Sequence, residues 1–341
     1  LLSLVAAREL FEGFARGLVD PAAILAAPLV TIDTVTPGEA GAIEVPPTFP
    51  AVVVAVGVGA SPPLAAGGPD VALTGVTDPP RPWVSVTDAG RALAALAARV
   101  AANPMAAVML AQVLRGGQGA PVETGLLIES MAYSTLQGGP EFARWRAGRP
   151  PPEGRPDTGP ALIVRRYDGR LDIVLDRPEV HNAYNRRMRD DLYEALAVAA
   201  ADPDGTVRLS GNGPSFCSGG DLAEFGTVPD PATGHLVRTA RSPARLLDSL
   251  SGRTDVVLHG SCAGSGIELP AFADMVRARP DTRIWLPEIA MGLIPGAGGT
   301  VSLPRRIGAG RTAWLALSGE TIGTGTARRW GLVDEVLGQS E

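Results

Sequence analysis

Helical and strand periodicities alternate along the chain and change character about midway. Residues 1–18, "LLSLVAARELFEGFARGL", carry apolar side chains at helical spacing with acids and arginines between them, which predicts an amphipathic helix. "LVTIDTV" (29–35) and "AVVVAVGVG" (51–59) predict strands, and the second is β-branched enough to be buried. A Pro/Gly-rich stretch (60–70) interrupts the pattern before another short strand, "VALTGV" (71–76). Beyond Asp88 the spacing becomes helical: two helices broken at Asn103-Pro104, then a second pair within 121–148. The polar, stiff tract "RPPPEGRPDTGP" (149–160) predicts a linker, with a domain boundary near residue 155.

After that tract, strands and helices alternate. "ALIVRRYDGRLDIVLDRP" (161–178) predicts two strands around Asp168-Gly169. An amphipathic helix (186–204), a strand (206–211), a helix (242–250) and a strand (254–260) follow. A helix is expected near Gly264, then a strand at 283–286 and helices after Pro295. Such alternation predicts an α/β fold with helices packed on a sheet.

Composition narrows the function. Every basic residue is arginine, which excludes a Schiff-base lysine, and the net charge of −6 argues against nucleic acid as a partner. Two cysteines, Cys217 and Cys262, make neither a disulfide framework nor a metal-ligand cluster, so a reducing cytosol is the default. The opening helix does not read as a signal peptide, and the apolar runs are shorter than a membrane span. The expectation is a soluble cytoplasmic protein without a membrane partner.

Chemistry concentrates in two Gly-rich clusters. In "GPSFCSGGDLAEF" (213–225), glycines follow a strand and precede Asp221, a candidate helix N-cap. "GSCAGSGIELP" (260–270) repeats strand, Gly-rich turn and helix, with Glu268 one turn in. Glu288 stands at a strand end before "GLIPGAGGT" (292–300). The first amides of a helix have no internal partner and lie at the positive end of its dipole. Two such amides converging on one oxygen would form an oxyanion hole. Each cluster by itself reads as a tight turn, and it is their order and spacing taken together that point to a site.

The motifs taken in order, "RPEVHNAYN", "FCSGGDL", "GSCAGSGIE", "PEIAMGLIPGAGGT" and "ALSGETIGTGTARRWGLVDEVL", resemble the crotonase (enoyl-CoA hydratase/isomerase) superfamily from about residue 161 onward. The resemblance implies a crotonase-like fold of stacked ββα units and chemistry through a thioester enolate. It places the oxyanion-hole amides on Gly220 and Ser265 and the two hydratase glutamates on Glu268 and Glu288. Hydration of a 2-enoyl-CoA is the implied reaction. An enoyl-CoA isomerase, a thioester hydrolase and a non-catalytic acyl-CoA-binding subunit are the alternatives. No metal or redox cofactor is implied, since coenzyme A enters as part of the substrate, and the assembly is expected to be a homo-oligomer, a trimer or a multiple of it. The implied CoA-binding residues are Val180, His181, Ser218, Asp221 and Leu222. Where a basic residue is common in the family this chain has Glu179, leaving Arg177, Arg186 and Arg187 as substitutes. Ser265 stands where glycine is usual.

Residues 1–154 are read through the same resemblance. "LAARVAANPMAAVMLAQVLRG" and "ESMAYSTLQGGPEFARWRAG" look like the family's terminal helices placed before the core, and "AVVVAVG" and "DVALTG" look like a decayed copy of its strands. The expectation is a degenerate crotonase-like region with a helical cap (1–154) serving a catalytic core (155–341). It makes Tyr133, Arg144, Arg146 and Arg149 candidates for contacts with CoA. His181 and His259 are expected to satisfy local hydrogen bonds, and the two cysteines to pack as small buried residues. Ser265 lacks the G-x-S-x-G of a nucleophile elbow. Gly57 and Gly59 form half a dinucleotide fingerprint that Pro62 breaks.

Overall fold

The computed structural model describes residues 2–33, 43–57, 67–150 and 159–338. Most of the 149–160 tract, with the boundary expected near 155, lies outside them, as do Gly59 and Pro62. In the first half, α1 (Leu4–Ala15) starts at Ser3, whose hydroxyl accepts the Ala6 N–H at 3.2 Å. After α2 (Pro21–Leu25) come β1 (Leu29–Asp33), β2 (Val52–Gly57), β3 (Val71–Thr74) and β4 (Trp83–Ser85). These four form a parallel sheet in sequence order. Strand β4 has no counterpart in the periodicity, because three residues beyond a proline-rich segment are too few to show a period. Helices α3 (Ala89–Ala102) and α4 (Pro104–Gly116) break at Asn103-Pro104 and diverge by 107°. Proline there removes an N–H and restricts the residue before it. Helices α5 (Val122–Gln137) and α6 (Pro140–Ala147) complete this half.

The second half opens with the expected hairpin, β5 (Leu162–Tyr167) and β6 (Arg170–Leu175), and continues through α7 (Arg186–Ala200), β7 (Thr206–Gly211), α8 (Pro231–Ala240) and α9 (Pro243–Ser249). Next come β8 (Thr254–Leu258), β9 (Ser261–Ala263), α10 (Ser265–Glu268), β10 (Met275–Ala278) and β11 (Arg283–Trp285). The chain closes with α11 (Gly299–Ile307), α12 (Ala309–Ser318), β12 (Ile322–Gly323), α13 (Thr324–Trp330) and β13 (Glu335–Val336). One sheet runs β13-β10-β8-β7-β6-β5, parallel except for the hairpin edge. A smaller sheet runs β12-β11-β9. The α/β class with helices packed on stacked, largely parallel strands is as expected.

Two local expectations need correction. Asp221 does not cap a helix: the residues after it form turns until α8, and its Oδ1 accepts the Ala223 N–H at 3.1 Å. The helix after Gly264 is a single turn, because Pro270 interrupts it and the chain passes into a 3₁₀ turn at Pro270–Phe272.

One buried apolar core joins the halves, running from Val52, Leu73 and Leu110 to Leu209, Leu303 and Leu315. Helix α12 contacts β3, β4, α3 and α4. Its buried Arg311 donates to the carbonyls of Pro79 (2.9 Å) and Trp83 (3.3 Å). In the first half, Arg115 forms a buried ion pair with Asp70 at 2.5 Å and donates to Phe49 O and Ala51 O. Among the described residues no single helix is long and apolar enough to cross a membrane.

Candidate active site

Strand β9 ends at Ala263, and Gly264 turns the chain into α10 with φ 48° and ψ −121°. That positive φ suits glycine, and space requires it as well. A Cβ at 264 would stand 2.4 Å from Glu288 Oε1 and 3.6 Å from Glu268 Oε1. Thus one carboxyl from α10 and one from the turn after β11 converge on the same bare backbone. Glu288 opens a 3₁₀ turn, Glu288–Met291, that follows Pro287.

The two carboxyls are held differently. Glu268 is buried, and its Oε2 accepts the Ala297 N–H at 2.7 Å and the Gly299 N–H at 3.0 Å. Glu288 Oε2 is buried and accepts no hydrogen bond among the described residues. Burial pushes the Glu288 carboxyl up to about 8. Burial also raises Glu268 well above the ordinary carboxylate value; the charges of Glu288 and Glu129 add to this, and the two amides oppose it. Such a pair titrates as a unit, and like-charge proximity disfavours the doubly ionised form.

Two residues whose backbone N–H groups meet no backbone acceptor among the described residues line the same space. Ser265 N–H is the first amide of α10 and has no acceptor within the helix. Around Gly220, the Tyr184 N–H donates to Gly219 O and the Asp221 N–H to Tyr184 O, while the Gly220 amide meets no backbone carbonyl among the described residues. A Cβ at 220 would stand 2.7 Å from the Phe225 ring, and one at 266 would meet Cys217 O at 2.1 Å. Gly220, Ser265, Glu268 and Glu288 all line one cavity of about 560 Å³. Its walls come from both halves of the chain: Leu126, Glu129 and Tyr133 of α5 together with Tyr184, Phe225 and Arg238.

Family-model comparison identifies residues 165–341 with enoyl-CoA hydratase/isomerase. The 2,3-dehydroadipyl-CoA hydratase of Escherichia coli (strain K12) is 35% identical over 177 residues, covering 52% of this chain and 69% of that protein. This decides the assignment. The chain belongs to the enoyl-CoA hydratase/isomerase family. The enoyl-CoA isomerase/hydratase fer4 of Mycosarcoma maydis is 33% identical over 178 residues, covering 49% of this chain and 65% of its own. Among solved structures, an enoyl-CoA hydratase from Thermoplasma volcanium GSS1 has 31% identity and a TM-score of 0.48, covering 54% of this chain and 74% of that one. The chain spans about two thirds of the length of the curated relatives it matches, 64% to 69%.

Within this enoyl-CoA hydratase/isomerase core, the predicted CoA residues divide. Tyr133 and Asp221 line the cavity; Val180, His181, Ser218, Leu222 and Arg146 are not among its lining residues. Asp221 also pairs with Arg177 at 3.3 Å. His181 bonds Ser215 through Nδ1 at 3.0 Å, and its carbonyl accepts the Ser218 N–H. Leu222 is exposed, and Arg146 lies beside Gly226 and donates to Pro150 O. Arg144 is engaged by Ala102 O and Asn103 Oδ1, and Arg149 stacks on Trp145. Of the substitute arginines, Arg186 lines the cavity, whereas Arg177 and Arg187 do not.

The other residues singled out from sequence are structural. His259 Nε2 bonds Gly213 O at 3.0 Å, while the Ser265 hydroxyl neighbours Cys217 Sγ at 3.9 Å. Both cysteines are free and buried on adjacent backbone, where burial lifts the Cys217 thiol to about 11. Among the described residues no cluster of three or more His, Cys, Asp or Glu is arranged to hold a metal ion.

Sequence reading missed Glu129 and Arg238. Glu129 is buried, and its carboxylate accepts the Gly298 N–H, the Thr300 N–H and the Thr300 hydroxyl. A signal existed: Gly125, Glu129 and Tyr133 fall at i, i+4 and i+8, and a carboxylate on an inward helical face needs a buried partner. Arg238 lies over the Tyr133 ring at 4.6 Å and bonds Ser130 and Ser134 of the same helix. Its own segment, 225–242, carried no readable period because a proline-rich approach precedes it.

Proposed function

We propose that this protein hydrates a 2-enoyl-CoA thioester to a 3-hydroxyacyl-CoA. The observation that carries the reading is the convergence of Glu268 and Glu288 on Gly264, in one cavity with the free amides of Gly220 and Ser265. Glu268, its anion supported by two amides, takes a proton from water while the water oxygen bonds C3. The C2=C3 electrons shift onto the thioester oxygen, where the N–H groups of Gly220 and Ser265 meet the developing charge. The two buried carboxyls retain one proton between them, and with the amides favouring the anion on Glu268 it is Glu288 that gives this proton to C2 as the carbonyl re-forms. The substrate gains H at C2 and OH at C3, and proton exchange within the glutamate pair resets the site. No step calls for a metal or redox cofactor; the CoA portion belongs to the substrate.

Retention of both carboxyls favours hydration over isomerisation, in which a single glutamate can carry the proton from C2 to C4. The test is turnover of crotonyl-CoA and longer 2-enoyl-CoAs, followed by loss of the conjugated-thioester absorbance. Hydration that disappears in Glu268→Gln and Glu288→Gln is the expected result. A shifted double bond without added water, release of free CoA, or binding without turnover would each replace this reading.

Residues 1–154 are proposed as a degenerate copy of the core whose helices cap the active half. In support, β1 to β4 run parallel in sequence order, as β6, β7, β8 and β10 do. A cytoplasmic setting and a homo-oligomer, a trimer or a multiple of it, belong to the same proposal; light scattering of the purified chain tests the assembly.

A further inference from the structure

Four consecutive amides lead into α11, and two carboxylates divide them alternately. Ala297 and Gly299 donate to Glu268 Oε2 at 2.7 and 3.0 Å. Gly298 donates to Glu129 Oε1 at 2.7 Å and Thr300 to Glu129 Oε2 at 2.8 Å, with the Thr300 hydroxyl on that same oxygen at 2.7 Å. Glu129 belongs to α5 in the first half, Glu268 to α10 in the second. Neighbouring turns of α5 fit the same strip of backbone. A Cβ on Gly125 would lie 2.8 Å from Val301 Cγ2, and one on Gly296 would lie 2.4 Å from the Tyr133 ring. Both oxygens of Glu129 are engaged by these donors, which ties its carboxylate to the backbone leading into α11.

We propose that Glu129 is a positioning residue for the glutamate pair: by holding the amides of Gly298 and Thr300, it fixes the strip that presents Ala297 and Gly299 to Glu268. A carboxylate from the first half thereby sets the geometry of an acid/base group in the second. Its kinetic readout rests on the hydratase reading; its geometry does not. The titratable groups around Glu268 are Glu288 from the turn after β11, Glu129 and Tyr133 from α5, Tyr184 ahead of α7 and Cys217, with the Arg238 charge from α8 acting on Tyr133 and Glu129.

Glu129→Asp separates position from charge, because the shorter side chain keeps the charge but cannot span both amides. Two measurements on the full chain test the proposal: steady-state hydration, and carbon-13 NMR titration of labelled glutamate carboxyls. Expected are a kcat lowered roughly ten- to a hundredfold, as misplacement of up to about 1 Å produces, a KM nearly unchanged, and a Glu268 titration moved to higher pH as its amides slacken. Glu129→Gln, which keeps length but leaves one amide without its acceptor, should lose kcat in the same manner and less severely. A lowered melting temperature with kcat and titration unchanged per folded molecule would overturn the proposal, as would failure of both variants to fold, since either marks a purely structural cap. If the wild-type chain does not hydrate enoyl-CoA, the hydratase reading fails, and the titration still decides the role of Glu129.

Discussion

Glu268 and Glu288 illustrate how backbone decides the work of a side chain. Glu268 sits on two amides and Glu288 leaves a buried oxygen unpaired, so equal residue types become unequal acids. Replacing either by Gln is expected to lower kcat by roughly 10²- to 10⁴-fold, the usual contribution of general acid–base catalysis. Ser265→Gly should keep activity within severalfold, because the donor there is the amide and not the side chain. By contrast Gly266→Ala, whose Cβ would meet Cys217 O at 2.1 Å, should destabilise the fold by about 1–3 kcal/mol or more. The buried carboxyls also make stability depend on pH. Their folded values exceed the unfolded one, near 4.5, so the folded state binds more protons through the window between them. Stability from these groups is complete below pH 4.5 and falls as pH rises toward 7 for Glu129 and 8 for Glu288. Chemical denaturation across that range should show the decline, and Glu288→Gln should flatten its upper part.

At the scale of elements, periodicity was a good guide wherever a helix or strand had one wet and one dry face. The hairpin β5–β6, helix α7 and the Asn103-Pro104 break all lie where the pattern places them. Strand β4 and helix α8 did not announce themselves, the one too short and the other masked by prolines. The turn after Gly220 carries a helix-cap residue without a helix, since Asp221 closes a local turn and pairs with Arg177. Helix α5 carries the clearest consequence. Gly125→Val would thrust a side chain into Val301 and lift α5 from α11. The expected outcome is a lower melting temperature together with loss of turnover, because Glu129 and Tyr133 move with the helix.

For the whole molecule, the continuous core and the amide sharing at α11 argue that the two halves fold as one cooperative unit. Deleting residues 1–150 should leave an insoluble or inactive fragment; a folded, fully active one would show that the first half is dispensable. The buried Asp70–Arg115 pair lies far along the chain from the glutamates. Asp70→Ala should nevertheless cost about 3–5 kcal/mol, the loss expected when one partner of a buried ion pair is left alone. A single denaturation transition lowered in this variant, read by probes in both halves, would confirm the cooperativity.

The order of the Gly-rich motifs and the two glutamates made the family legible from sequence alone, together with four residues, Gly220, Ser265, Glu268 and Glu288, that share one cavity. Backbone turns and the residues they expose are local, and local pattern survives in a linear string. What only the tertiary structure decided is who completes the site. Which arginines face the cavity, and that α5 supplies Glu129 to a pocket whose other walls begin more than 50 residues later at Tyr184, depend on contacts between segments that share no local pattern. The burial and the sharing of amides that distinguish Glu268 from Glu288 exist only once the halves are packed together.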